Sequence, residues 1–208
     1  MVCVVAMVRA VAWGVCVQQD VSPEFIRGHS CQAVGILAQG LSSVVALPLA
    51  ARIHEGIVFS NRDGRTLLDK MIALLASLGL DAPYYFVADA YYASRKIALP
   101  LLRVGPHLVT RVRNNAVGYW PAPAPAPEHR KRGRPKLYGE KIPLKTLFDR
   151  TEGMQTLASP VYGEKDVQLG VWTLDLLWRP VGILVRFVAV LHPTRGRLIL
   201  MHRKMPSC

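Results

Sequence analysis

Residues 84–92 read Tyr-Tyr-Phe-Val-Ala-Asp-Ala-Tyr-Tyr and constrain the chain more than any other stretch. An aromatic, β-branched run of this length predicts a buried strand, and the run delivers a single carboxylate, Asp89, at its C-terminal tip. Ser94 then offers an N-cap for a helix running through Leu102 to Val104, stopped by Gly105 and Pro106, with Pro100 able to kink it. A strand that ends on an acid just before a helix is a common way for an α/β sheet to present a metal ligand or catalytic acid. The plain alternative is that Asp89 only solvates a strand end.

The surrounding elements extend the same layered pattern. Upstream, residues 65–79 place Leu67, Leu68, Met71, Ile72, Leu74, Leu75 and Leu78 at helical spacing, with Gly79 as the stop. Before that, the second half of residues 25–37 and the run 44–53 read as two strands of an antiparallel hairpin joined near Gln39 and Gly40. Pro48 places the second of these at a sheet edge or a bulge. Residues 55–64 are rich in turn formers, and residues 107–112 give another strand. Two hairpin strands, a helix, a strand, a helix and a strand describe an α/β core.

Residues 1–17 are almost wholly apolar, yet they fall short of the ~20 residues a membrane-spanning helix needs, and Arg9 interrupts them. Their valine content favours a strand over a signal or anchor. The four cysteines show no CxxC spacing and no neighbouring histidine. That argues against a thiolate metal site and fits a reducing cytoplasm. The six histidines are scattered.

Charge points to the partner. The 208 residues carry 26 Lys and Arg against 14 Asp and Glu, a formal net charge of +12. Such an excess suits a polyanion, with nucleic acid first and an anionic membrane surface second. The charge is also concentrated. Alternating Pro and Ala over residues 121–127 predict an extended spacer, and it runs into Arg130, Lys131, Arg132, Arg134 and Lys136. Within that arm Arg132-Gly133-Arg134-Pro135 has the slim backbone and flanking guanidiniums of a minor-groove hook, while Arg130, Lys131 and Lys136 suit phosphates. Beyond it, residues 167–178 and 181–191 read as a strand pair and 197–201 as a third short strand.

Several segments together resemble the transposases of bacterial insertion sequences that use a DDE triad. They are Gly28-His29-Ser30-Cys31-Gln32-Ala33, residues 48–56 from Pro48 through His54 to Gly56, Val87-Ala88-Asp89-Ala90-Tyr91-Tyr92, residues 110–117, and Lys131-Arg132-Gly133-Arg134-Pro135-Lys136-Leu137-Tyr138-Gly139. The resemblance covers residues 25–200. It implies a ribonuclease-H-like mixed-sheet core, incomplete here, with a basic loop and a β-rich insertion. It also implies a site where two aspartates and a glutamate hold Mg²⁺ for phosphodiester cleavage and strand transfer. Asp89 matches the second aspartate, as catalytic residue and metal ligand. Arg111, Arg113, Arg130, Lys131, Arg132, Arg134 and Lys136 are the implied DNA contacts.

The family's first aspartate lies on a strand upstream of the Gly-His-Ser segment, where residues 1–17 hold no acid, and Asp20 lies in a polar turn. Its glutamate lies on a helix after residues 197–201, where the chain instead reads His202-Arg203-Lys204-Met205. Both ends therefore read as foreign frame around a matching middle, and Mg²⁺ binding is expected to be weak. The implied division is an atypical segment 1–24, a partial core 25–112, a basic arm 113–142, an insertion 143–201 and a tail 202–208. Loss of the glutamate helix is expected to uncover residues 31–37 and 86–87.

Three readings follow. The first is a DDE transposase fragment without strand transfer, bacterial and nucleoid-associated, with DNA as partner and no small-molecule substrate. The second is a non-catalytic DNA-binding protein that competes or oligomerises with intact transposase. The third is a basic protein anchored to membrane by residues 1–17.

Overall fold

The computed structural model describes residues 2–12, 28–39, 44–55, 63–81, 83–123, 134–150, 152–161, 163–164 and 166–203. The turn expected near Gly40, the polar turn around Asp20, most of the loop after Glu55, and the arm residues Arg130, Lys131 and Arg132 lie outside them.

The fold is mixed α/β, as the sequence pattern predicts. Strands β1 (Val2–Ala12), β2 (Gly28–Gln39) and β3 (Val44–Glu55) form an antiparallel meander. Helix α1 (Leu67–Ser77) leads to β4 (Tyr84–Ala88), which pairs parallel to β1. A short 3-10 turn (Ala90–Tyr92), helix α2 (Arg95–Val104) and β5 (His107–Arg111) follow, with β5 parallel to β4. Then come β6 (Val117–Pro121), β7 (Tyr138–Pro143), a 3-10 segment (Leu144–Asp149), β8 (Gln155–Ala158), β9 (Gln168–Trp178), β10 (Ile183–His192) and β11 (Gly196–Arg203). All eleven strands form one sheet in the order β3-β2-β1-β4-β5-β11-β10-β9-β6-β7, with β8 paired to β9.

Local chemistry explains the elements. Thr66 and Asp69 form a reciprocal capping box at the start of α1, with the Thr66 amide donating to Asp69 Oδ2 at 2.8 Å. Lys96 of α2 reaches the same carboxylate at 2.7 Å. These bonds from Lys96 first, and from Thr66, hold the Asp69 carboxyl at about 2. Gly105, at φ 110°, ends α2 in the left-handed region that a side chain would oppose. Pro48 lies on the edge strand, and the β2–β3 register shifts beside it: Gly35 faces Pro48 while Val34 faces Ala50, leaving Leu49 unpaired. Both expectations for that proline are met.

One face of the sheet is covered at its centre, whereas β3 at the edge and β8 stay exposed. Val34, Phe86, Tyr92, Met71, Leu74, Ile97 and Leu101 pack with Leu176, Phe187 and Ile199 into one core beneath α1, α2 and the 3-10 segment (Leu144–Asp149). Burying each large side chain is worth roughly 1.5–3 kcal/mol. The expectation that Phe86 is uncovered is therefore corrected: it is completely buried, edge-on to the Tyr92 ring at 6.0 Å. Alternation along a strand explains the split, because Phe86 faces the helices while Val87 faces away. The opposite face carries Cys31, Val87, Val109, Leu200 and Val188, each only half-buried.

The β6–β7 hairpin, β8 and the 3-10 segment (Leu144–Asp149) are absent from the sequence expectations. The basic arm is the connection of that hairpin. Among the described residues no helix is long and apolar enough to cross a membrane.

Candidate carboxylate site and nucleic-acid interface

Asp89 stands where the sequence placed it, immediately after β4. Its carboxylate Oδ1 accepts from the Tyr91 amide at 2.9 Å, which caps the 3-10 turn, and the side chain is exposed. On the neighbouring strand, Ala88 is level with Thr110. The Thr110 hydroxyl is fully buried and donates to the Asp89 carbonyl at 2.6 Å. Arg111 and Arg113 follow, both exposed. Two cations thus sit at the end of β5 beside the carboxylate that ends β4.

On its other side β4 is flanked by β1, where Val5 is level with Val87. Continuing that register for two residues brings Met7 level with Asp89. Strand β1 holds no acid at any position, and among the described residues no group of three His, Cys, Asp or Glu side chains could hold a metal ion. Mg²⁺ wants several hard oxygens in near-octahedral array. One exposed carboxylate that already caps a turn does not supply them. The described residues do not fit the expected metal, so no chemical step is derived through it.

Sequence reasoning missed a buried polar network behind Asp89, although its members lie in the segments that carried the resemblance. Gln32 of β2 is fully buried; its amide Nε2 donates to the Leu67 carbonyl at 2.8 Å. That fixes its oxygen toward His54 of β3, whose Nε2–H donates to Oε1 over 2.9 Å. Burial first, and then Lys70 and Arg52, lower the His54 pKa and keep the ring neutral. Tyr92 closes the network. Its buried hydroxyl lies beside Gln32 without a well-formed hydrogen bond, and burial pushes its pKa up. The signal was readable as a long polar side chain, Gln32, two residues before Val34 on the inward face of β2.

A second polar cluster locks the loop before β9 to the β10–β11 turn. The Thr194 and Arg195 amides donate to His192 Nδ1 at 3.1 Å each, so Nε2 carries the proton and donates to Glu164 at 3.0 Å. Ser159 and Arg195 bind the same carboxylate, and the Ser159 hydroxyl is the first cause holding Glu164 below its usual range.

Of the expected DNA contacts, Arg134 and Lys136 are exposed on the strip entering β7. They lie apart from Arg111 and Arg113 in the sheet. Between β5, which ends on Arg111, and β7 there are about five strand spacings, or ~24 Å, before twist is considered.

Residues 37–168, well over half of the chain, match the family of DDE superfamily endonucleases. The chain belongs to that family. The match contains Asp89, Arg111, Arg113 and the whole basic arm. Members typically use divalent metal ions. No curated protein matches the chain. A solved structure of a piggyBac transposase synaptic complex with hairpin DNA is similar over 98% of this chain, with 12% identity and a TM-score of 0.44. The chain spans about a third of that protein's length, 33%.

Proposed function

We propose that this chain is a transposase-type member of the DDE endonucleases that binds DNA but does not cleave it unaided. The observation that carries the reading is Asp89 at the tip of β4, flanked by Arg111 on β5 and by an acid-free β1, inside the family-matched region. The basic arm grips duplex DNA, with the groove hook around Arg132 and Arg134 and phosphate contacts from Arg130, Lys131 and Lys136. Arg111 and Arg113 take a second stretch of backbone near Asp89. A separation of ~24 Å corresponds to about seven base pairs of duplex at ~3.4 Å each. One helical segment can therefore touch both places.

The division into a partial core (25–112), a basic arm (113–142) and an insertion (143–201) belongs to the same reading. So do an insertion-sequence origin, Mg²⁺ as the family's metal, and a bacterial nucleoid location. That Asp89 stands without partner carboxylates among the described residues favours the non-catalytic variant, in which the chain occupies element ends in competition with an intact transposase or joins it in an oligomer.

The test is a titration of duplex DNA at several salt concentrations, together with an assay for nicking of supercoiled DNA with and without Mg²⁺. Arg132→Ala with Arg134→Ala should weaken binding and lower the salt slope by about one unit for each phosphate no longer neutralised. An unchanged slope would sink the arm assignment. Mg²⁺-dependent nicking abolished by Asp89→Asn would overturn the non-catalytic reading.

A further inference from the structure

At the root of the basic arm stands a small apolar projection that the core does not use. Trp120 is 39% exposed and Leu137 is 42% exposed. They lie on opposite strands of the β6–β7 stem, close to its open end. Pro121 is level with Tyr138, and the Ala122 amide donates to the Leu137 carbonyl at 3.0 Å, so the stem continues one step past the strands. Alternation puts Tyr119 and Tyr138 on one side of this ribbon, and Trp120 and Leu137 on the other.

The stem is held firmly. Tyr119 and Tyr138 pack edge to face at 5.3 Å, and the Tyr138 hydroxyl donates to the Arg179 carbonyl at 3.4 Å, pinning the ribbon to the β9–β10 turn. A register shift lies between Tyr119 and Pro121. There the backbone of Gly139 runs so close to Trp120 and Pro121 that a Cβ would sit 3.0 Å from both carbonyl oxygens. A side chain there would push the two carbonyls back by a few tenths of an ångström, and the irregularity sits where the indole leaves the ribbon.

The charges around the projection identify its occupant. Arg134 and Lys136 are exposed on the strip that leads into Leu137, while Lys141 is level with Tyr119 on the other side of the ribbon. Two exposed cations directly before an exposed Leu137, at the root of a cation-rich arm, suit a duplex, which presents phosphates on both sides of a groove. Apolar side chains inserted between base steps from the minor groove are a recurrent companion of groove-reading arginines.

We propose that Trp120 and Leu137 form a wedge that enters the minor groove beside the arm, partly unstacks one base step and bends the duplex. The inference rests on the DNA-binding reading above and adds a site to it. The cations supply salt-dependent grip, and the wedge supplies deformation. Pyrimidine–purine steps, which unstack most easily, are its favoured targets.

The experiment uses the full chain and a duplex carrying end labels for energy transfer and a 2-aminopurine reporter at a central TA step. The wild type should shorten the end-to-end distance and raise the reporter's fluorescence. Trp120→Ala and Leu137→Ala should lose most of both signals and weaken binding about tenfold, with the salt slope unchanged. Trp120→Phe should restore part of both. Both residues are exposed, so melting curves should match wild type. Variants that bind and bend like wild type would overturn the wedge while leaving the arm intact. A shift in oligomeric state by light scattering, with DNA bending retained, would also overturn it by assigning the patch to a protein interface. Failure of the wild type to bind duplex at all would remove both readings.

Discussion

The Thr110 hydroxyl donates a 2.6 Å hydrogen bond to the Asp89 carbonyl, so the tip of β4 is tied to β5 by a side chain that solvent does not reach. The same hydroxyl lies 3.1 Å from the Arg111 carbonyl. One oxygen thus sets the relative position of the acid and of the first cation beside it. Thr110→Val keeps the shape and removes the bond. It should cost about 1–2 kcal/mol through an under-satisfied carbonyl, lowering Tm by roughly 2–8 °C at about 2–4 °C per kcal/mol for a chain of this size. A melting temperature equal to wild type would show that the bond contributes nothing net.

The Gln32–His54 pair predicts a pH dependence of stability. His54 has a folded pKa below its unfolded value of about 6.5, because burial, Lys70 and Arg52 disfavour the charged ring. The unfolded chain therefore binds the extra proton first. Stability from this residue is fully present above pH ~6.5 and is lost as the pH falls from there toward the lower folded pKa. Urea melts across pH 7.5 to 5 should show a steeper fall for wild type than for His54→Gln. Parallel curves would mean that His54 titrates alike in both states.

How far the sequence carries depends on the range of the interactions. Residues 65–112 were readable nearly to the residue, because Leu67, Met71, Leu74 and Leu75 repeat at helical spacing and Gly79 and Gly105 stop the helices at positive φ. Asp89 was legible for the same reason. The pairing of β11 with β5 was not, since Met201 and Thr110 are level across the sheet but distant in sequence. Nor was β6 distinguishable beside the Pro-Ala spacer, where Val117 and Tyr119 give too short an alternation to stand out. The Thr110 and Gln32 bonds are products of that same long-range assembly, so no local pattern announces them.

Gly118 should tolerate no side chain. A Cβ there would lie 2.4 Å from Leu176 Cδ1 and 2.8 Å from its Cβ. Leu176 is completely buried in the core and has nowhere to go. Gly118→Ala should cost about 1–3 kcal/mol by overpacking and should loosen the hairpin that bears the arm. Equal stability by chemical denaturation would show that β6 shifts freely away from β9.

The half-buried face opposite the helices makes a prediction about solution behaviour. Val87, Val109, Val188 and Leu200 lie there in adjoining strands, interrupted by Arg111, His202 and the Asp175–Arg186 pair, which is bonded at 2.8 and 3.0 Å. Exposed apolar surface of this kind favours dye binding and association. The isolated chain should bind an apolar-surface dye at neutral pH, and Val188→Lys should reduce that binding without lowering Tm by more than a few degrees. Absence of dye binding by the wild type would refute this.

The last prediction concerns the carboxylate count at the β1–β4 boundary. Val5 is level with Val87, and carrying that register on by two residues brings position 7, a Met, level with Asp89. A hard divalent ion needs more oxygens than Asp89 alone offers. The wild type should therefore show no saturable Mn²⁺ binding by electron paramagnetic resonance in the submillimolar range, and Asp89→Asn should change nothing. Met7→Asp adds a second carboxylate at the matching register position beside Asp89. Its Mn²⁺ affinity should rise at least tenfold over wild type, and the gain should vanish in the Met7→Asp, Asp89→Asn double variant. A gain that survives loss of Asp89 would place the ion elsewhere. No gain at all would mean that β1 and β4 do not bring these positions together.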